Sequence, residues 1–306
     1  MKVLVTGSRG FIGRHLVNAL LEDDKVNHVV GIGRHNGDKL EKIGLALTTK
    51  HTEFNADILS PIDIALICET YRPDVIFHFA AIPTTQMDES FPTNITQTNI
   101  IGTQNLLHYA LTNTRFVYAS SITVYGNNDK PSEEYFPLAP TSVYAATKAA
   151  GEALVSAYTK QGRVNGISLR FVATVGKGAT HGVLPDVIRK LKKDTETIDL
   201  LGSNPGTVKP YMHVKQAVDI AVHLGLHHTT NKTFNVAPSD NLSIAELAYC
   251  AMRKLNVFKQ INWLGEKSIW PGDNKLIQAT NYRLLLEYNK PIKSSNQAVF
   301  EAAGEV

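Results

Sequence analysis

A tyrosine and a lysine, Tyr144 and Lys148, stand four residues apart in the segment YAATK. On a helix this spacing places both side chains on one face. A phenol with a pKa of about 10 is a poor base at neutral pH, but a neighbouring ammonium favours its ionised form. The pair is therefore suited to withdrawing a proton from an alcohol. The spacing also arises often by chance, so the flanking segments decide its meaning.

A hydroxyl-rich stretch, YASSITVYG at 118–126, precedes the pair and reads as a strand that enters a turn. A serine there can hold a substrate hydroxyl, or the ketone that develops from it, against Tyr144. The prolines of FPLAPTS fix an extended approach to the helix, with Ser142 available as its N-cap. The three segments together predict an acid–base site.

The N-terminal segment VLVTGSRGFIGRHL places Gly7, Gly10 and Gly13 between a predicted strand and a predicted helix. Backbone N–H groups and the helix N-terminus can meet a pyrophosphate there, because no side chain blocks the approach. A glycine triplet alone also fits a tight turn. Its position after the first strand favours a dinucleotide site.

The end of the second predicted strand, GIGRH, lacks the acidic residue that normally receives the adenine ribose 2′-hydroxyl. Gly33 and Arg34 occupy that place. A guanidinium without a carboxylate relaxes the exclusion of a 2′-phosphate, so the sequence admits NADP beside NAD, although Arg34 equally fits a solvated loop. Asp57, after the next strand, is a candidate adenine contact or a turn residue.

Short apolar runs at 3–6, 28–32 and 74–80 alternate with amphipathic helical stretches. This alternation predicts an α/β fold, a Rossmann-type doubly wound parallel sheet, with a smaller C-terminal α/β substrate-binding portion. The same pattern predicts two parts of the chain. Residues 1–172, with about 212–238 returning to them, form the dinucleotide-binding domain, and residues 173–211 and 239–306 form the substrate-binding portion.

Composition excludes several classes of partner. The 306 residues include 31 basic and 28 acidic ones, and no basic block suits a nucleic acid. Cys68 and Cys250 support neither a disulfide framework nor a zinc site, and the histidines lack metal-binding spacing, so no metal is expected. No run is apolar for long enough to span a bilayer or to act as a signal peptide. We expect a cytoplasmic protein that binds neither nucleic acid nor membrane.

Taken in order, these motifs resemble the extended short-chain dehydrogenase/reductase family, and its NAD-dependent epimerase/dehydratase group, over nearly the whole chain. The matching motifs are TGxxGxxG at 6–13, HxAA at 78–81, NxxGT at 99–103 and ExxPxxPxxxYxxxK at 134–148. The resemblance implies catalytic roles for Ser121, Tyr144 and Lys148. It implies cofactor contacts by Gly7, Gly10, Phe11, Ile12, Gly13, Arg34, Asp57, Ile58, Phe79, Ala80, Ala81, Asn99, Tyr144 and Lys148.

The distal half resembles nucleotide-sugar 4-epimerases of the UDP-galactose 4-epimerase type. This implies a UDP-linked sugar as substrate, contacted by Thr123, Ala173, His181, Lys209 and Asp273. Lys209 stands where such enzymes usually have an arginine for the diphosphate, and Ala173 where many have an asparagine, so the sugar stays open. The family also implies a homodimer through helices at about 94–112 and 145–160.

The implied reaction is a transient oxidation at C4 of the sugar. Tyr144 takes the proton while hydride passes to NAD, Ser121 steadies the oxygen, and Lys148 also holds the nicotinamide ribose. Three alternatives stay open. A 4,6-dehydratase would carry an Asp-Glu pair where Ile122 and Thr123 stand, an NADPH-dependent 4-ketoreductase would suit Arg34, and a non-catalytic dinucleotide-binding protein would not need the three catalytic residues.

Overall fold

The computed structural model describes residues 1–34, 49–83, 91–127, 134–227, 232–266 and 275–305, with the backbone alone for residues 91 and 92. The strands are β1 (Lys2–Thr6), β2 (His28–Ile32), β3 (His51–Phe54), β4 (Val75–His78), β5 (Thr114–Ser121), β6 (Val164–Phe171), β7 (Ala173–Val175), β8 (Thr197–Leu200), β9 (Val208–Lys209), β10 (Tyr211–His213), β11 (Thr233–Val236), β12 (Leu242–Ser243) and β13 (Gln260–Trp263).

The α-helices are α1 (Phe11–Glu22), α2 (Pro61–Tyr71), α3 (Phe91–Thr96), α4 (Gly102–Tyr109), α5 (Val143–Lys160), α6 (Val183–Leu191), α7 (Val214–His227), α8 (Ile244–Leu255), α9 (Tyr282–Glu287) and α10 (Ser295–Ala303). In the part of the chain that the structure describes, none of these helices combines the length and apolar character that crossing a membrane requires.

Seven strands form one parallel sheet in the order β11-β6-β5-β4-β1-β2-β3, so the predicted Rossmann-type fold is confirmed. The strand order reverses between β1 and β4, where Thr6 pairs with His78. In open α/β sheets, ligands bind beyond the carboxyl ends of the strands at such a reversal. The predicted phosphate loop and the HFAA segment both begin there.

Helix starts follow the local signals in the sequence. Ser60 accepts a hydrogen bond from the Asp63 N–H at the start of α2, with a proline in the first turn. Ser142 caps α5 by accepting from the Ala145 N–H at 3.2 Å. Ser243 forms a capping box with Glu246, the third residue of α8. The side-chain oxygens satisfy amide groups that have no partner within the helix.

The helix predicted over 94–112 is divided. A π-helical turn, Gln97–Ile101, separates α3 from α4. Hydrophobic periodicity cannot reveal one extra residue in a turn, which is why the sequence predicted a continuous helix. Such turns are frequent at functional sites, and this one carries Asn99, which belongs to the NxxGT motif.

The chain divides into two compact units. The first comprises residues 1–124, 142–170 and 218–234, and the second comprises residues 125–141, 171–217 and 235–306. Each has a hydrophobic core. Residues 125–141, which the sequence analysis assigned to the dinucleotide-binding domain, lie in the second unit. Two contacts account for this: Tyr125 donates to the Asn235 side chain, and the Asn235 N–H donates to Glu134.

A glycine in α5 sets the distance between this helix and β5. A Cβ atom at Gly151 would lie 2.0 Å from the hydroxyl oxygen of Tyr118, a side chain in the core. Glycine lowers helix stability by about 1 kcal/mol relative to alanine. Only the hydrogen atom of a glycine fits between α5 and Tyr118, so Gly151 allows α5 to pack closely on β5.

Gly151→Ala should lower the free energy of unfolding by about 1–2 kcal/mol, because overpacking costs more than the gain in helix propensity. Urea denaturation measures the effect. Ser156→Ala, at an exposed position of the same helix, is the control and should change stability by less than about 0.5 kcal/mol. Equal or greater stability of the glycine variant would contradict the packing argument.

A chain of buried hydrogen bonds joins β1, β4 and α4 through His78. Thr103 donates to the Asn99 carbonyl at 2.7 Å, so its oxygen accepts from Nε2 of His78, 2.8 Å away. Nδ1 then accepts from the Thr6 hydroxyl at 2.7 Å. The imidazole is neutral in this arrangement, and burial, with the charge of Lys148, lowers the pKa of His78 to about 3.

The buried His78 predicts acid sensitivity. The unfolded chain takes up a proton near pH 6.5 and the folded chain only near 3, so stability falls between these values by up to about 1.4 kcal/mol per pH unit. His78→Gln should reduce that slope in urea denaturation series from pH 7 to pH 4.5. A control at an exposed position that does not titrate, Ser156→Ala, should keep the wild-type slope. An unchanged slope in the His78 variant would contradict the assignment.

Candidate active site

The predicted phosphate loop lies against the end of β4. Gly7 has a φ of 71°, and a Cβ there would lie 2.7 Å from the Ala80 nitrogen. A Cβ at Gly13 would lie 1.9 Å from the Gly7 carbonyl oxygen, and the Gly10 N–H donates to that same oxygen. The conformation thus requires glycine at two of these positions, because a side chain would collide with the backbone.

The loop fits the pyrophosphate of a dinucleotide. Gly10 is the N-cap of α1 and has no side chain, so no N-cap side chain occupies the amide groups of the first turn. Phe11 and Ile12, also predicted as cofactor contacts, are the first residues of this helix and are partly exposed. The groups present therefore match an anionic ligand at the switch point of the sheet.

The predicted adenosine contacts gather beside β2 and β3. A guanidinium nitrogen of Arg34 lies 3.8 Å from Oδ2 of Asp57. The other carboxylate oxygen of Asp57, Oδ1, accepts a hydrogen bond from the Leu59 N–H at 3.0 Å. Asp57 therefore also acts as a turn residue. Ile58 is buried, and a Cβ at Gly102 would lie 2.4 Å from it. This contact explains the glycine of the NxxGT motif.

The segment after β4 is held from two sides. Phe79 and Ala80 donate their N–H groups to the carbonyl and hydroxyl oxygens of Thr6, and Ala81 follows them, partly exposed. Asn99 is buried, and its amide binds both the N–H and the carbonyl of Ile82. It also donates to Thr147 on α5 at 3.0 Å. The structure shows Asn99 as a positioning residue, and its contact with a cofactor stays a prediction.

The three predicted catalytic residues converge. Lys148 is buried, its Nζ donates to the Ala119 carbonyl at 2.7 Å, and it lies 5.8 Å from the centre of the Tyr144 ring. The Ser121 hydroxyl lies near enough to the Tyr144 phenol to lower its pKa. Thr123, predicted as a substrate contact, donates to the Ser121 hydroxyl at 2.9 Å. A phenol, a hydroxyl and an ammonium therefore share one site.

The ionisation of Tyr144 differs from the expectation. Burial raises the pKa of Tyr144 to about 12, and the Ser121 hydroxyl opposes this only in part. The depression predicted from Lys148 is not seen, because desolvation of the phenolate is the larger effect. Burial also lowers the pKa of Lys148 to about 7, against the charge of Glu152, which raises it.

Glu152 is a residue of this site that the sequence analysis missed. It lies one turn after Lys148 on α5, and its carboxylate pairs with Arg170 of β6 through contacts of 2.8 and 2.6 Å. The Ser120 hydroxyl donates to it as well, at 2.5 Å. The buried carboxylate balances Arg170 and lies where it favours the charged form of Lys148. Its helical spacing from Tyr144 and Lys148 was the available signal.

Three predicted substrate residues lie in the second unit, around a cavity of about 80 Å³. Ala173, His181 and Lys209 line it together with Val183 and Tyr211. The mixture of a lysine, a histidine and apolar walls suits a polar ligand with an apolar part. Asp273, the last of the five predicted substrate residues, lies outside the described residues.

A larger cavity of about 420 Å³ lies elsewhere in the second unit and contains none of the predicted site residues. His213, at its edge, is buried between Glu305 at 3.1 Å and the N–H of Lys215 at 3.2 Å. These contacts satisfy both ring nitrogens of the buried imidazole. The larger of these two cavities is therefore not the one that the predicted substrate residues line.

The family model, two sequence relatives and a solved structure that match this chain are all described as epimerases or dehydratases. The family model described as NAD dependent epimerase/dehydratase family matches residues 3–237. The chain is 30% identical over 257 residues to an uncharacterized UDP-glucose epimerase, YtcB, of Bacillus subtilis, covering 81% of this chain and 80% of that protein. It is 27% identical to the dTDP-D-glucose 4,6-dehydratase of Homo sapiens, covering 96% and 82% of the two chains.

Among solved structures, a UDP-galactose 4-epimerase superposes with a TM-score of 0.81 at 27% identity, over 100% of this chain and 98% of the other. The matched region contains the glycine loop, the HxAA and NxxGT motifs, and the converging Ser121, Tyr144 and Lys148. On this sequence match and this fold, the chain belongs to the NAD-dependent epimerase/dehydratase family.

Proposed function

We propose that this protein is a nucleotide-sugar 4-epimerase that acts on a UDP-linked sugar with a bound nicotinamide dinucleotide. The observation that carries the proposal is the convergence of Ser121, Tyr144 and Lys148 on one site of the first unit. A binding protein has no need of these three groups together. Relatives that include a UDP-glucose epimerase support the reaction class.

In the proposed reaction, Tyr144 Oη removes the proton from the sugar 4-hydroxyl and later returns it. Ser121 Oγ holds the sugar oxygen as it becomes a carbonyl, and Thr123 orients Ser121 through their 2.9 Å hydrogen bond. The chemistry that the dinucleotide supplies when bound is reversible hydride transfer at C4. Because burial favours the neutral phenol, the proposal requires the ammonium of Lys148 to stabilise the phenolate as the proton moves.

The proposed substrate contacts follow the cavity of the second unit. Lys209 would neutralise part of the diphosphate, and His181 and Ala173 would border the nucleotide sugar. A lysine provides a point charge without the bidentate fork of an arginine, so this contact selects charge more than shape. The predicted homodimer, and a place in the cytoplasm, stay predictions.

A second candidate is an NADPH-dependent 4-ketoreductase, which the guanidinium of Arg34 in place of an acidic residue favours. This activity needs the same three catalytic groups. A 4,6-dehydratase is disfavoured although such enzymes are among the relatives. The two positions after Ser121 hold the buried Ile122 and the hydroxyl of Thr123, so they supply no acid–base pair for elimination.

Incubation of the purified protein with UDP-glucose, UDP-N-acetylglucosamine or UDP-glucuronate should invert C4 without added reductant, as followed by NMR. Mass spectrometry of dinucleotide released on denaturation identifies the resident cofactor. Epimerisation by a catalytic amount of protein would support the proposal. Conversion of 4-keto sugars alone, and only with added NADPH, would replace it by the reductase.

Tyr144→Phe should lower kcat by about 10²–10⁴-fold, the usual contribution of a positioned acid–base group, while the fold is retained. Steady-state kinetics and circular dichroism measure the two effects. Tyr158→Phe, on the same helix, is the matched control and should keep wild-type kinetics. Retention of full activity by the Tyr144 variant would exclude the proposed proton transfer.

Glu152→Gln should lower the pKa of Lys148 below its value of about 7, because the carboxylate is the group that raises it. It should also lower the unfolding free energy by about 3–5 kcal/mol, since Arg170 loses its buried partner. NMR titration of labelled lysine and urea denaturation measure these effects. Glu152→Asp keeps the charge and should show a smaller shift. An unmoved lysine titration would show that Glu152 has no electrostatic role.

A further inference from the structure

The side chain of Arg9 occupies the place where a carboxylate normally binds the adenine ribose. A Cβ at Gly33, at the end of β2, would lie 3.1–3.3 Å from three side-chain carbons of Arg9. An acidic side chain at this position would receive the ribose 2′-hydroxyl. The aliphatic part of the Arg9 side chain, which comes from the phosphate loop, lies there instead.

Arg9 has hydrogen-bonding capacity that the described protein leaves unused. Its side chain is only 8% exposed, and its Nη1 is buried without a hydrogen-bond partner among the described residues. A buried cationic donor without a partner is costly, so such groups usually meet an anion. The buried nitrogen, in a loop built for phosphates, points to an anionic ligand.

Glu53 holds Arg9 in place. Its carboxylate lies 3.0 Å from Nε of Arg9, accepts from the Ser8 hydroxyl at 2.5 Å, and contacts His51 at 3.2 Å. The carboxylate of Glu53 fits there because Gly31 has no side chain: a Cβ at this position would lie 1.8 Å from Oε2 of Glu53. With 2% of its side chain exposed and three protein partners, this carboxylate is engaged within the protein.

Arg34 supplies a second guanidinium next to Gly33. Its side chain is 63% exposed, and its 3.8 Å separation from Asp57 exceeds a hydrogen bond. Exposed ion pairs of this kind contribute little to stability. The guanidinium of Arg34 can therefore turn to a ligand at little cost.

We propose that this chain selects a dinucleotide with a 2′-phosphate, with Arg9 and Arg34 as its phosphate contacts and Glu53 as the positioning residue for Arg9. Planar guanidinium groups bind phosphate oxygens through paired, charge-assisted hydrogen bonds. The inference rests on the proposed dinucleotide site and specifies which dinucleotide enters it. The sequence indicated Arg34 as a contact for the 2′-phosphate, and the structure adds Arg9 as a second candidate contact.

Calorimetric titration of the full chain, freed of resident nucleotide, with NADP⁺ and NAD⁺ tests the proposal without any activity assay. NADP⁺ should bind at least about tenfold more tightly, as expected for one or more charge-assisted hydrogen bonds. The fragments 2′,5′-ADP and 5′-ADP should show the same preference. Equal or tighter binding of NAD⁺ would overturn the inference and leave the proposed function intact. Binding of neither dinucleotide would overturn both.

Two variants make the test specific. Arg34→Ala should weaken NADP⁺ binding about tenfold and leave NAD⁺ binding unchanged. Gly33→Asp, whose Cβ would have side-chain carbons of Arg9 as its nearest neighbours, should reverse the preference between the dinucleotides. Arg189→Ala, an arginine of similar exposure in the second unit, is the matched control and should alter neither affinity. Unchanged selectivity in both the Arg34 and Gly33 variants would contradict the proposal.

The role of Glu53 has a separate readout. Glu53→Gln removes the charge that holds Arg9 and should weaken NADP⁺ binding more than NAD⁺ binding, whereas a purely structural role would weaken both alike. Thermal denaturation of the same sample establishes that the variant is folded. Equal loss for the two dinucleotides would remove Glu53 from the proposal.

Discussion

The hydrogen bond from the buried ammonium of Lys148 to the Ala119 carbonyl joins α5 to β5 and sets the geometry of the candidate active site. Its formation requires a helix that lies unusually close to the strand, which the absent side chain of Gly151 permits. It also requires a counter-charge, because an isolated buried ammonium would lose its proton. The carboxylate of Glu152 supplies that charge one turn further along the helix.

Buried polar groups are also paired with one another at the switch point of the sheet. A neutral His78 accepts from one threonine and donates to another, so that β1, β4 and α4 are joined by hydrogen bonds in an apolar interior. Asn99 continues this chain from the π-helical turn to Thr147 of α5. Through these contacts the motif residues hold β1, β4, α4 and α5 in position.

The fold and much of the site could be predicted from the sequence. The strand-and-helix rhythm, the capping serines and the glycine loop follow from local rules, and the structure confirms them. The π-helical turn could not be predicted, because it leaves no periodic signal. Nor could the raised pKa of Tyr144, which depends on desolvation by residues distant in sequence. The pairing of Glu53 with Arg9 is equally nonlocal, since 44 positions separate them.

By itself the sequence determined the family, the parallel sheet and the identity of the residues at its switch point, since these depend on local patterns and ordered motifs. The tertiary structure alone decided which of those side chains are buried, which form hydrogen bonds with one another and which balance a charge. The physical reason is that desolvation and ion pairing depend on three-dimensional neighbours. A helix and a strand such as α5 and β5 acquire those neighbours only when they pack.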